Sequence, residues 1–546
     1  MEKTLIVQSD FTMILSTDDL LFNEIKNEII KFSELKSSPD KVYIFAITSL
    51  SIWNAGAVGV TKQFIFDTLN KYSKFEVPEK ITEQITLWYN SYGQVSLEKQ
   101  DDASILLKVE DEIIKEKIRS SKTLQKFISS ETDKGFIVNY FFRGEIKAAL
   151  ISCDIPVKDN LPFHKGEELP FSINKYIAGT QNEIVIRDYQ EDSAESVYQA
   201  GHGTVVLPCG SGKTIVGLRL MELCQTSTLI VTNSSSSVKQ WYKTILAFTN
   251  IPKDKVAMYN DKNKEIKQIT ITTYNMISYK YKGEFIHFKK FSLQNIGLCI
   301  YDEVHLMPAA MFRIVASLQS VKRLALTATF IREDGKEIDI FTLIGPKRYD
   351  KPWKDLEARG YIASISLKEI RVSLSNKDNA AYTSASNAQK KFEIAATAEN
   401  KTKIVKALLE KHKDDKVLII GQFTDHLISL AQELNLPCVY GDTPEEKREE
   451  LYNKMRNNEV NVIVASRIAN AALDIPNISV VIQVSFLYGS RNEEAQRVGR
   501  ATRPKEKSAY FYTIISKDTK EEDYNFNRQM FLTNEGYKYE ILDMAA

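Results

Sequence analysis

Three short clusters in this 546-residue chain combine residue types at spacings that could do chemistry. The first is Pro208-Cys209-Gly210-Ser211-Gly212-Lys213-Thr214, which follows the apolar run Thr204–Leu207. Glycines at 210 and 212 let the backbone curl so that N–H groups converge on phosphate oxygens, Lys213 reaches the β- and γ-phosphates, and the Thr214 hydroxyl suits Mg²⁺. The general signature opens with a glycine where Leu207 stands here. The second cluster is Asp302-Glu303-Val304-His305, after the apolar Leu298–Tyr301. Of two adjacent acids at a strand end, Asp302 is assigned to the metal through water and Glu303 to the general base that deprotonates an attacking water. His305 is expected to couple this site to the rest of its domain. The third cluster runs from Gln496 to Arg503, with Arg497, Arg500 and Arg503 on one side of a helix. An arginine near a γ-phosphate neutralises transition-state charge. Singly, these clusters read as a glycine-rich turn, two solvated acids and a basic helix face; together they favour phosphate chemistry.

The elements that must position them are β-rich runs alternating with helical segments. Thr204–Leu207, Leu229–Thr232, Ile269–Thr272, Leu298–Tyr301 and Leu324–Leu326 form one series. Val417–Ile420, Pro437–Tyr440, Val462–Ala465, Val480–Val484 and Tyr510–Ile515 form a second. This alternation predicts an α/β fold with two tandem parallel-sheet units, joined around residues 355–370. Ahead of them, strand-like Leu5–Val7 and Thr12–Leu15, a helical pattern over Asp19–Leu35 and another over Ile81–Tyr92 predict a small α+β unit. A change of character near Ser104 brings a strand at 105–109, a helix over Glu112–Lys117 and an apolar strand over Gly135–Phe142. Pro156, Pro162 and Pro170 then read as loop and linker. The expected domains are 1–95, 96–175, 176–360 and 361–546.

Composition bounds the function classes. With 72 basic and 71 acidic side chains the net charge is +1, which excludes a polycationic nucleic-acid binder. The balance is an average: residues 1–175 carry −4, residues 176–546 carry +5, and residues 201–300 carry +8. Five scattered cysteines without a CxxC indicate neither a disulfide framework nor a zinc ribbon, and suit a reducing interior. The uncharged stretch 42–61 has the length of a membrane span, but Thr48, Ser49, Ser51, Asn54, Gly56 and Gly59 interrupt it, so it reads as buried core. A cytoplasmic, intracellular protein is expected.

The motif order then narrows. The phosphate loop, the Asp-Glu-Val-His cluster, Thr327-Ala328-Thr329 and the Gln496–Arg503 run resemble superfamily 2 helicases and translocases, whose two RecA-like lobes bind ATP. Phe330–Gly335, residues 344–363, 464–477 and 489–505, together with residues 5–10 and 47–59, are similar to the XPB family of DNA helicases, in its bacterial branch. The resemblance covers almost the whole chain. It implies ATP- and Mg²⁺-dependent 3′→5′ movement on DNA, with duplex unwinding and a role in DNA repair. It also implies DNA single strands and duplex junctions as partners, with a repair nuclease as a further candidate. By the same resemblance Arg187 and Gln190 match an adenine-reading motif, and Thr327 and Thr329 the motif linking ATP state to the second lobe. Arg332, Glu333 and Asp334 match an element placed near strand separation, against a charged surface loop as the alternative. Asp474 matches a nucleotide-lining position, Arg500 and Arg503 match finger positions, and Gln496 matches a γ-phosphate contact. The segment Ser373–Asn400 is too short for the long basic thumb of other members, and Ala469-Asn470 replaces a more usual Gly-Asp pair.

A strand-tracking motor needs hydroxyls, amides and N–H groups at its strand ends more than a polybasic tract. Thr232 and Asn233, Thr272 and Thr273, Gln422, and Ser466 and Arg467 all occupy such ends, with Lys239-Gln240-Trp241 on the next helix. Within that set Trp241 reads as core packing rather than a stacking platform. A double-strand DNA translocase without strand separation uses the same motifs and stands as the alternative.

Overall fold

The computed structural model describes residues 3–37, 42–57, 59–101, 103–282, 284–304, 314–315, 318, 320–328, 340, 343–466, 478–486, 494, 497–499 and 508–544. Contacts divide the chain into two units, one comprising Met1–Leu207 with Gly212–Lys351 and the other Pro208–Ser211 with Pro352–Ala546.

The first unit begins with an antiparallel sheet in the order Ile6–Val7, Thr12–Ser16, Val42–Ala46, Glu34–Ser37. Helices Phe22–Ile29, Ser49–Ala57, Lys62–Tyr72 and Glu79–Ser91 accompany it. Met13, Phe45, Ile52, Ile65 and Ile85 join in one core. The uncharged 42–61 stretch thus supplies a strand and a helix of a buried core. No helix among the described residues is long and apolar enough to cross a membrane. The helix expected over Asp19–Leu35 stops at Ile29, because Glu34 and Leu35 pair with Ala46 and Phe45 as an edge strand. A polar–apolar pattern alone does not reveal that partner.

A second sheet runs Ile128–Thr132, Gly135–Asn139, Ser104–Val109, Val95–Lys99, Val157–Asp159. The strand expected to reach Phe142 ends at Asn139, whose Oδ1 accepts from the Phe141 N–H at 3.0 Å and opens a short 3-10 turn. Asp159 closes this domain. It accepts two hydrogen bonds from Arg143, both 2.9 Å, and one from Lys147 at 2.8 Å. The following segment, marked by its prolines as a linker, is instead a strap bound along the large sheet's domain. The Glu167 N–H donates to Ser227 Oγ at 3.0 Å, Phe171 N–H to Gln225 Oε1 at 2.8 Å, and Ser172 N–H to Asn250 Oδ1 at 2.9 Å.

The large sheet of this unit has seven strands, all parallel, ordered Val256–Met258, Ile269–Thr273, Thr228–Thr232, Leu298–Asp302, Lys322–Thr327, His202–Val206, Lys347–Asp350. The second unit repeats the plan in seven parallel strands: Cys438–Val439, Val462–Ser466, Val417–Gly421, Val480–Gln483, Ala509–Ser516, Ile365–Val372, Tyr539–Met544. Two tandem RecA-like lobes preceded by α+β domains are therefore the architecture. Central strands such as Leu229–Val231 and Val417–Ile420 are buried without alternation because helices cover both faces of a parallel sheet. Ile365–Val372, read from the sequence as part of a joint, is a full strand paired with Ala509–Ser516. Its adjacent Lys368 and Glu369 break the apolar run and hide the strand from an apolar-run search.

Candidate nucleotide site

The first sheet brings three strand ends to one level. Val206 lies opposite Thr327, and Asp302 opposite Leu326. Just beyond Val206 the chain turns into the helix Lys213–Cys224 through Pro208–Gly212. Gly210 and Gly212 hold φ of 81° and 83°, which side chains disfavour. The turn is tightened by Ser211, fully buried, whose Oγ donates to the Pro208 carbonyl at 2.7 Å. Pro208 is buried, and Cys209 and Thr214 are half-buried.

Lys213 Nζ lies 3.3 Å from Glu303 Oε1 and 3.4 Å from the Leu207 carbonyl. Glu303 adopts φ 53°, outside the usual range for a side-chain-bearing residue, and its N–H donates to the Leu326 carbonyl at 2.8 Å. That kink ends the strand and turns the carboxylate toward Lys213. Asp302, one residue earlier, is pushed up to about 6 by burial and by the Glu303 charge, with the Trp241 N–H and the Lys213 ammonium acting in opposition.

Two groups that no local pattern indicates complete the arrangement. Trp241 Nε1 donates to Asp302 Oδ2 at 2.9 Å, and the Tyr274 hydroxyl donates to the Asp302 carbonyl at 3.0 Å. Tyr274 is buried, and burial with the charges of Asp302 and Glu303 holds its phenol well above the ordinary value. A Cβ at Gly217 would lie 2.5 Å from Trp241 Cη2, so the helix after the phosphate loop is bare where the indole packs. Trp241 is 2% exposed; it positions a carboxylate and offers no stacking face.

Gln190, 3% exposed, packs on the same loop, since a Cβ at Gly212 would lie 2.5 Å from its Nε2. Its Oε1 accepts from the Arg187 N–H at 2.9 Å, and Arg187 Nη1 donates to the Tyr189 hydroxyl at 3.1 Å. Among the described residues no group of three or more His, Cys, Asp or Glu could hold a metal ion. The residues fit a phosphate-bound Mg²⁺ rather than an all-protein cage. A carboxyl driven toward neutrality by burial and a like charge is one that a further cation stabilises.

The family whose model matches residues 356–546 is the ERCC3/RAD25/XPB C-terminal helicase. Residues 183–332 match the type III restriction enzyme res subunit, and residues 5–133 a helicase conserved C-terminal domain. Over 542 residues the chain is 38% identical to a DNA 3'-5' helicase XPB of Kineococcus radiotolerans, covering 99% of this chain and 96% of the relative. The chain belongs to the XPB helicase family. Another XPB relative, the DNA 3'-5' helicase XPB of Mycobacterium tuberculosis, is 39% identical over 99% of this chain and 97% of its own length. At 16% identity, a fragment of a putative HsdR subunit of a type I restriction enzyme from Vibrio vulnificus shares the fold, with TM-score 0.50 over 66% of this chain and 69% of that one.

In this XPB-family chain the strand-end residues divide into two kinds. Thr232 and Thr272 are fully buried, and their hydroxyls donate to the carbonyls of Ser234 at 3.2 Å and Tyr259 at 2.9 Å. These two side chains, read from the sequence as DNA contacts, close the ends of two interior strands with hydroxyls bonded to backbone carbonyls. Asn233 and Thr273 are half-buried beside them, and Thr273 Oγ1 caps the helix Tyr274–Ile277 by accepting from the Met276 N–H at 3.2 Å. Thr327 is buried at its strand end, and Ser466 is 4% exposed. The Gln422 N–H donates to Ser485 Oγ at 2.8 Å, while its Oε1 is buried without a partner among the described residues.

Arg497 is the one arginine of the motif among the described residues. It is 1% exposed and donates to Gln483 Oε1 and the Ser485 carbonyl, as part of its own lobe's interior. Gln496, Arg500, Arg503, Asp474, His305, Thr329, Arg332, Glu333, Asp334 and Arg467 lie outside the described residues.

Proposed function

We propose that this chain is an ATP-dependent DNA helicase that moves 3′→5′ and unwinds duplex DNA, acting in DNA repair with a repair nuclease as a candidate partner. The observation that carries the reading is the convergence of Lys213, Glu303 and Asp302 at neighbouring strand ends, in a chain of the XPB family. In this reading the loop N–H groups and Lys213 bind the β- and γ-phosphates. Glu303 orients the attacking water and takes its proton at a carboxylate oxygen. Thr214 and Asp302 would hold Mg²⁺, which when bound supplies charge neutralisation at the phosphates. Gln496, Arg500 and Arg503 are assigned to the γ-phosphate, Asp474 to the nucleotide, and Arg187 and Gln190 to the adenine side. His305, Thr327 and Thr329 are assigned to coupling, Arg332, Glu333 and Asp334 to strand opening, and Asn233, Thr273, Gln422, Ser466 and Arg467 to the strand.

The test is ATP hydrolysis with and without DNA, paired with unwinding of a 3′-tailed duplex. DNA-stimulated hydrolysis with 3′-tail-dependent unwinding is expected. Triplex displacement without unwinding would instead favour a translocase, a reading supported by relatives described as a helicase/translocase subunit, such as that of Enterocytozoon bieneusi at 32% identity.

Trp241→Phe retains an aromatic ring against Gly217 and removes the N–H that Asp302 accepts. A hydrogen bond to a charged group contributes roughly 1.5–3 kcal/mol, so the Mg²⁺ concentration for half-maximal hydrolysis should rise about tenfold. The melting temperature should fall as well, because a buried indole is truncated and a buried carboxylate loses a donor. An unchanged Mg²⁺ requirement removes Trp241 from the site.

A further inference from the structure

Directly after the helix Tyr274–Ile277 the chain forms a tight hairpin on the first lobe. The Tyr281 N–H donates to the Glu284 carbonyl at 2.9 Å and the Glu284 N–H returns to Tyr281 at 3.0 Å, with Lys282 at φ 48°. Tyr279 and Tyr281 are 51% and 54% exposed, and Lys280 and Lys282 alternate with them on the surface. The hairpin is anchored from beneath. Phe285 packs against the lobe's core, the ring of Tyr279 lies 5.9 Å from His287, and His287 Nδ1 is bonded to the Tyr259 hydroxyl at 2.8 Å. Lys280 Nζ rests 4.5 Å from the Phe285 ring.

The surface continues onto the preceding small domain. Phe141, 36% exposed, meets the Phe288 ring at 6.5 Å, and Lys289 Nζ lies 5.7 Å from the Phe141 ring. Residues 279–290 hold four lysines against the single acid Glu284. Half-exposed tyrosines interleaved with lysines provide flat faces for unpaired bases and charge for the phosphates between them. A duplex buries its base faces and would leave the rings unused.

We infer that the Tyr279–Lys282 hairpin, extended by Phe141 and Lys289, is a single-strand DNA platform outside the strand-end track. It holds an unpaired strand by stacking on Tyr279 and Tyr281 and by pairing phosphates with Lys280, Lys282 and Lys289. The inference rests on the DNA-helicase reading, and it supplies a grip in a chain whose Ser373–Asn400 segment is too short for a basic thumb.

The test uses the full chain and fluorescence anisotropy with labelled oligothymidylate and with a blunt duplex. Tyr279→Ala with Tyr281→Ala should weaken oligothymidylate binding by about tenfold or more, since stacking contributes roughly 1–3 kcal/mol per base. Blunt-duplex affinity should stay within about twofold, and Tyr→Phe at both positions should restore single-strand binding. Independently, Lys280→Ala with Lys282→Ala should flatten the dependence of log affinity on log salt by about 1.4, at roughly 0.7 for each single-strand phosphate left without its lysine. All four side chains are exposed, so circular dichroism and melting serve as the folding control. Unchanged oligothymidylate affinity in both double variants overturns the platform, and equal losses on blunt duplex overturn its single-strand character. If wild-type hydrolysis shows no stimulation by any DNA, the helicase reading itself has failed instead.

Discussion

Glu303→Gln is expected to lower DNA-stimulated ATP hydrolysis by about 10²–10⁴-fold while DNA binding is retained. The substitution is nearly isosteric, so the φ 53° backbone and the N–H bond to the Leu326 carbonyl can persist. What it removes is the carboxylate 3.3 Å from Lys213 Nζ, and with it the group able to take a proton from water. Lys213→Ala should reduce hydrolysis by a similar order, about 10²–10³-fold, through loss of a preorganised positive charge. The two differ in kinetic signature. Lys213→Ala should also raise KM for ATP, because the lysine is assigned to the bound phosphates. Glu303→Gln should act mainly on kcat. Steady-state kinetics at saturating DNA separate them, and undiminished hydrolysis in both variants would remove the assigned chemistry from this site.

The second large effect lies in the interior of the C-terminal lobe. Arg528, on the helix Lys520–Asn534, and Glu494 are both fully buried and 2.6 Å apart. Arg528 Nη2 also reaches Gln483 Oε1 at 3.2 Å, Gln483 Nε2 reaches Glu494 Oε2 at 3.3 Å, and Arg497 bonds the same Gln483. The guanidinium lies 4.4 Å from the Phe486 ring centroid. Arg528→Met strands a buried carboxylate, which costs about 3–5 kcal/mol. The lobe should melt at lower temperature and become sensitive to protease. Because Arg497 shares the network, hydrolysis should fall as the run leading to Arg500 and Arg503 loosens. Adding Glu494→Leu removes the stranded charge and should recover much of the stability, because replacing both partners of a buried pair by apolar groups is often near neutral. A single variant as stable as wild type would show that the pair contributes little.

Much of the candidate site was legible because its residues are local in sequence. A phosphate loop needs glycines, a lysine and a hydroxyl within a few residues, and an apolar run before Asp302 and Glu303 marks a strand end. The apolar central strands were legible for the same reason. Strands whose burial depends on a distant partner were not, as at Ile365–Val372 and Glu34–Ser37. The arginine spacing groups Arg497 with Arg500 and Arg503, although burial and the Gln483 hydrogen bond give Arg497 a structural place. Likewise a hydroxyl at a strand end suggests DNA binding at Thr232 and Thr272, and the sequence does not show that both hydroxyls bond backbone carbonyls in the fold.

By itself the sequence determined the tandem α/β plan, the glycine-rich loop before Lys213, the acid pair and the family resemblance, since each is written in short-range residue type and spacing. Only the tertiary structure decided that Trp241 holds Asp302 across 61 residues and that Gln190 packs on Gly212. It also revealed that a proline-marked linker is a bound strap, and that tyrosines and lysines at 279–282 stand together on an anchored hairpin. Those outcomes depend on which surfaces folding buries and which it leaves in water, and long-range packing settles that where local pattern cannot.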